Sequence, residues 1–453
     1  MKRRLFWSHL ATFWCGVLLV CGVSLTTPHR VSSGVYGDVN GDGVVDIDDV
    51  NEVINVMLGK PHGGGGTILV SDERLSFTGE VNGVFTQTIT LSGDNLRGAV
   101  NVVVQDDSGA FSVTPSHIDL EAAMQGAELK VTYAPQATGT HTARLLLSSE
   151  DAPSVTVTLS GTAYESQPDG RNWALVKLAV ATLRSEARHS SELTTQAVMG
   201  TPMKVLDDQG DWLRVQLPDD YIAWVPESSL LFRSEAQLQQ WRQLQRYIVT
   251  VDHTKLLADT CTGAVVSDLV LSNILEYKGV ASNQWVRLAT PDGREGWANA
   301  AEVADLDQWK RQSWDIDLIE RTALNMMGCG YLWGGTSTMV TDCSGLMKVC
   351  YLANGIILQR DASQQALTGQ KIADWHQCET GDLLFFGNKK TGRVTHVGMY
   401  LRDGKYIHCS GRVKINSLDT SAPDYLYSPL SISRIRGQVG TRGITSVAAH
   451  PWY

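Results

Sequence analysis

Polar and apolar positions alternate through residues 67–163 in short runs. Gln87-Thr88-Ile89-Thr90-Leu91, Leu129-Lys130-Val131-Thr132-Tyr133 and Val155-Thr156-Val157-Thr158-Leu159 are examples, and polar turns separate them. A period of two marks strands with one buried face. About seven such strands in roughly a hundred residues predict an immunoglobulin-like β-sandwich. The stretch holds no cysteine and no clustered polar set that suggests chemistry, so it reads as a spacer rather than an adhesion module.

Residues 171–305 carry an internal repeat. Trp212, Pro218, Asp219 and Trp224 are spaced as Trp285, Pro291, Asp292 and Trp297 are, and each set spans strand, tight turn, strand. The two copies, 171–248 and 249–305, resemble tandem bacterial SH3 barrels. Leu238, Trp241, Leu244 and Tyr247 predict a linking helix over Ser234 to Tyr247. Beyond them, 306–440 mixes helix and strand periods. Ser313 to Met327 is amphipathic with Gly328 as its stop, Leu346 to Leu352 is an apolar helical run, and two strand-like segments each carry a histidine. Residues 441–453 give no pattern.

The amino-terminal part is built differently. A basic start (Lys2, Arg3, Arg4), an apolar stretch near Leu10–Val23 and small residues at Gly22-Val23-Ser24 predict a signal peptide over 1–24. Lipidation at Cys21 and a retained anchor are the alternatives. In residues 36–60, Asp38, Asn40 and Asp42 stand at positions 1, 3 and 5 of a calcium loop, with Val44 at 7 and Asp49 at 12. Gly43 supplies the turn, and an apolar helical stripe follows. This resembles one repeat of a dockerin, which usually has two. Structural Ca2+ is therefore expected, with a cohesin-like partner or a plain calcium-stabilised spacer as the two uses. Pro61 to Gly66 is a glycine linker.

The chain has 453 residues, 43% of them hydrophobic, and a net charge of −10. That length allows several cores, and the acidity argues against a nucleic-acid partner. A monomer is the expected state. Removing the signal leaves six cysteines without a CxxC pair, which argues against a zinc ribbon. Cys350 falls on the face of Cys343 and reads as a core residue.

Candidate chemistry lies at Thr341-Asp342-Cys343-Ser344-Gly345. A cysteine in the first turn of a helix meets unpaired backbone N–H groups, which favour the thiolate. His396 and His408 follow on strands, and the order Cys, His, His suits nucleophile, general base and orienting group. Two unrelated core residues or a Cys-His-His zinc site are the competing readings.

Around these residues stand Gly328-Cys329-Gly330-Tyr331-Leu332-Trp333-Gly334-Gly335, Gly381-Asp382-Leu383-Leu384-Phe385-Phe386, Leu358 to Gln365 and His408 to Asp419. Together they resemble the NlpC-type cell-wall cysteine peptidases, and more narrowly the YkfC-type dipeptidyl-peptidases. The resemblance implies a papain-like α+β catalytic domain. It implies cleavage of the γ-D-glutamyl–diamino acid bond of murein stem peptides, with no cofactor for catalysis. Asp342 and Ser344, with Tyr221 from the first barrel, would bind the free amine of an N-terminal L-Ala. Glu192, taken over Glu186, would join them. Tyr331 and Trp333 would line the same pocket. Arg360 and Asp361 are either substrate contacts or a structural ion pair. An endopeptidase on intact murein and a non-catalytic wall-binding scaffold remain the alternative functions.

Overall fold

The computed structural model describes residues 66–453 apart from 151, 167–169 and 262. The signal peptide, the calcium loop with Asp38, Asn40, Asp42, Val44 and Asp49, and the linker up to residue 65 lie outside the described residues. Among the described residues no helix is long and apolar enough to cross a membrane.

The alternating runs become a sandwich of a four-stranded and a five-stranded sheet. Ile89, Leu91, Leu129 and Val131 of one sheet face Leu145, Leu147, Val157 and Leu159 of the other, all buried in one cluster. Two strands exceed the expected seven: a short pair at His117–Ile118 and an edge at Thr67–Val70, both too brief to show a period. The helix Leu120–Gln125 was also not foreseen.

The repeat is structural. Residues 173–233 and 246–305 each form a seven-stranded sheet, and the strands follow the same spatial order in both. Arg214 pairs with Trp224 as Arg287 pairs with Trp297, and a bulge precedes the matching strand in each copy. The linking helix is shorter than predicted. It runs Glu235–Gln243, with a capping box between Ser234 and Gln237. Leu244 leaves helical backbone, and Arg246–Val249 becomes the first strand of the second barrel, so that barrel begins ahead of residue 249. Ile248 and Val249 gain more by burial in the barrel than by extending a helix.

In the catalytic region Asp315 caps the helix Ile316–Asn325, three residues inside the expected start. The helix Cys343–Ala353 packs its apolar face against a six-stranded antiparallel sheet. Leu346, Met347 and Cys350 meet Phe385, Val397, Met399 and Ile407 in one core. The final residues have a place after all: Ile444–Ser446 pairs with Ile356–Leu358.

Candidate active site

Cys343 opens its helix because Asp342 caps it. The Asp342 carboxylate accepts from the Gly345 amide at 2.7 Å, and from the Gly334 amide at 2.9 Å. Gly345 has to be glycine, since a Cβ there would stand 2.0 Å from the Gly335 carbonyl oxygen. Arg360, only 2% exposed, closes the arrangement. It forks onto both Asp342 oxygens, donates to Ser344 Oγ at 2.8 Å, and reaches Thr195 Oγ1 of the first barrel at 3.0 Å. Both Asp342 oxygens are thus engaged by Arg360 and two amides, and Asp342 also lines the cleft beside Cys343. The ion pair that Arg360 forms is with Asp342, and both Arg360 and Asp361 line the cleft.

The histidines form a relay. His396 Nε2 lies 2.7 Å from His408 Nδ1, and His408 Nε2 lies 2.8 Å from Asn416 Oδ1. Asn416 Nδ2 donates to the Asp424 carbonyl at 2.6 Å. The tautomers can be assigned from that end. An amide that donates through nitrogen offers its oxygen, so His408 Nε2 carries a hydrogen. His408 Nδ1 is then bare and accepts from His396 Nε2–H, which leaves His396 Nδ1 a free lone pair. The amide of Val397, next to His396, donates toward the Cys343 sulfur. Asn416 was not singled out from the sequence, where a lone Asn on a half-exposed strand carries no signal.

Burial sets the resting charges. It pushes the Cys343 thiol up to about 11, helped by the Asp342 charge and opposed by the Val397 and Ser344 amides. The thiolate expected from the helix end is therefore outweighed in the free chain. Burial also lowers His396 to about 4, with His408 and Lys414 adding to the shift, and lowers His408. Burial thus favours the neutral thiol and the neutral imidazole.

The cleft beside Cys343 brings in the first barrel. Glu192, Tyr221, Trp333, Ser344 and Asp361 line it. Trp333 Nε1 donates to Glu192 Oε1 at 2.6 Å. Burial raises the Asp361 carboxyl, while Arg360 opposes the shift. Burial lifts the Tyr221 phenol to about 12, and the nearby Asp361 charge adds to it. Burial lifts the Tyr331 phenol to about 12 as well, and the nearby Asp342 charge adds to it. Three carboxyl or hydroxyl groups, Glu192, Asp361 and Tyr221, thus line the same cleft as Asp342.

A second bond between the first barrel and residues 306–440 was missed. Lys348, on the nucleophile's helix, pairs with Asp219 of the first barrel and donates to the Leu358 carbonyl at 2.9 Å. Its signal was legible: a lysine interrupts the apolar run Leu346 to Leu352 and needs a buried anion.

Comparison with known proteins gives this geometry a context. Residues 328–428 match the NlpC/P60 family, and residues 183–230 match the bacterial dipeptidyl-peptidase Sh3 domain. The chain is 26% identical over 265 residues to dipeptidyl-peptidase 6 of Lysinibacillus sphaericus, covering 56% of this chain and 94% of that protein. It is 28% identical over 239 residues to a γ-D-glutamyl-L-lysine dipeptidyl-peptidase of Bacillus cereus, covering 49% of this chain and 68% of that protein. A crystal structure of an NlpC/P60 family protein from Bacillus cereus superposes with a TM-score of 0.50 at 23% identity, over 58% of this chain and 99% of that one.

Proposed function

We propose, taking residues 328–428 as an NlpC/P60 cysteine peptidase domain, that the chain hydrolyses the γ-D-Glu–L-diamino acid bond of murein stem peptides that carry a free N-terminal L-Ala. The diamino acid is diaminopimelate or Lys. One observation carries the free-amine requirement: Glu192, Tyr221 and Asp361 converge on the cleft of Cys343. A carboxylate is the natural partner of an ammonium, and a blocked amine brings neither charge nor donors to that end.

In this reading the bare nitrogen of His396 takes the Cys343 proton as sulfur attacks the γ-glutamyl carbonyl carbon. The carbonyl oxygen becomes an oxyanion, and the backbone amide at the helix start is the natural donor to it. His396 returns the proton to the departing amine of the diamino acid, leaving a thioester on Cys343. Water then attacks the thioester with His396 again as base, freeing L-Ala-γ-D-Glu and the thiol.

The amino-terminal segments keep their sequence reading: export by the signal peptide, and Ca2+ held by Asp38, Asn40, Asp42, Val44 and Asp49 in a structural role.

Mass spectrometry of L-Ala-γ-D-Glu-diaminopimelate incubated with the chain tests the reading, beside an N-acetylated copy and the Cys343→Ala variant. Release of the dipeptide from the free-amine peptide alone, and only by the unmodified chain, is expected. Equal cleavage of the acetylated copy removes the amine pocket and points to intact murein. No cleavage of either by the folded chain overturns the peptidase assignment.

A further inference from the structure

The cleft that holds Cys343 does not end at the peptidase and the first barrel. Its far side is formed by Asp72, Glu73 and Arg74 of the β-sandwich, together with Arg393 and Arg442. The cavity measures about 1500 Å³. That exceeds the roughly 300–1,000 Å³ of small-ligand pockets and leaves room for several peptide residues.

The sandwich is fixed at two separated places. At its last strand Tyr164 is buried against the first barrel, with the Lys204 ammonium 4.4 Å from its ring centre, and nearby Arg214 donates to Thr140 Oγ1 at 3.3 Å. At its other end the Arg442 guanidinium pairs with Asp72 and donates to the Arg74 carbonyl. Arg442 is presented rigidly. It sits in a turn closed by the Gly440 amide on the Ile444 carbonyl at 2.9 Å, and the following strand is pinned to Ile356–Leu358. Gly443 in that turn has φ +72°, and a Cβ on it would stand 2.7 Å from Thr368. The backbone that carries Arg442 is thus held in place, while its side chain is 48% exposed.

We propose that the β-sandwich is the outer wall of the peptidase cleft. The Asp72–Arg442 pair holds that wall at a width that admits linear peptides to Cys343 and shuts out peptides branched at the diamino acid side chain. This rests on reading the cleft as the peptide site. A linear stem peptide is one chain wide. A cross-linked one carries a second chain from the residue next to the scissile bond, and in this proposal that branch meets the sandwich residues Asp72, Glu73 and Arg74 that line the cleft.

The test uses the full chain, its Asp72→Arg and Arg442→Asp variants, and the double exchange. Each single exchange sets like charges against each other and the double restores attraction. Cleavage of a branched over a linear free-amine peptide, as a ratio of kcat/KM, is expected to rise roughly five-fold in each single variant and to return in the double. A second readout needs no turnover. The rate at which a bulky maleimide labels Cys343, relative to iodoacetamide, is followed by peptide mapping and should change in the same pattern. An unmodified chain that cleaves neither peptide removes the proposed activity, and the labelling ratio then decides the wall alone. Equal labelling ratios in all four chains overturn the wall, whatever the turnover.

Discussion

An imidazole has two nitrogens, and His396 is useful to Cys343 only while the nitrogen not bonded to His408 is bare. Asn416 enforces this through His408, anchored by the Asp424 carbonyl. Asn416→Leu removes the acceptor for His408 Nε2–H and lets both rings exchange tautomers. We expect kcat to fall about 10²-fold with KM little changed, since a general base contributes roughly 10²–10⁴; an unchanged kcat sinks the relay. The pH profile follows from the same rings. His396 must be neutral to accept a proton, and its environment lowers it to about 4. The acid limb of kcat/KM should therefore fall near pH 4 rather than near 6.5. The stability sign agrees: between those values the unfolded chain binds a proton on His396 that the folded chain refuses, so stability drops as pH falls through that window. A limb at 6.5 would mean that His396 is solvated. At this scale Cys343, His396 and His408 were readable, because motif order and residue chemistry suffice for them. The pairing of Asp342 with Arg360 was not readable, because Arg360 lies 18 residues on, and sequence does not say which cation folds back onto which anion.

Elements were legible in kind and less so in extent. The helix after Ser234 was expected to reach Tyr247, because Leu244 and Tyr247 continue the apolar spacing. It stops at Gln243 because the next residues are claimed by a sheet whose other strands come later in the chain. The nucleophile's helix was clear from its apolar run, and the exception within it carries a prediction. The side chains of Lys348 and Asp219 are 14% and 3% exposed. Removing one member of a buried pair strands the other charge, at a cost of about 3–5 kcal/mol, while replacing both by apolar groups is often close to neutral. Lys348→Met should lose about 3 kcal/mol of stability in chemical denaturation, and Lys348→Met with Asp219→Leu should recover much of it. A double variant as unstable as the single would show that Lys348 acts mainly through its bond to the Leu358 carbonyl.

Across the whole molecule, the repeat of tryptophans made two barrels readable, because each barrel closes on itself with local pairing. How the barrels, the sandwich and the peptidase dock was not readable, since those contacts join residues with no shared period. The last residues show this most clearly. Trp452 meets Trp173 edge to face with centroids 5.0 Å apart, and Arg242 Nε donates to the Tyr453 carbonyl at 3.1 Å. Both aromatics cover a cluster in which Leu238 and Trp241 of the linking helix meet Ile248 and Ile274 of the second barrel. Residues 452 and 453 thus close the seam between the second barrel and the first, which carries Tyr221 and Glu192. Large aromatics bury about 150–250 Å² each when fully covered. With both rings half-buried and roughly 25 cal/mol per Å², a chain ending at residue 449 should be less stable by about 5 kcal/mol. The loss should appear as a lower denaturation midpoint and as earlier proteolysis within residues 234–250, where the uncovered helix gives way to strand. An unchanged midpoint would mean that the seam is held by the barrels alone. A lowered midpoint with unchanged turnover at low temperature would separate the tail's part in holding the barrels together from any part in the chemistry at Cys343.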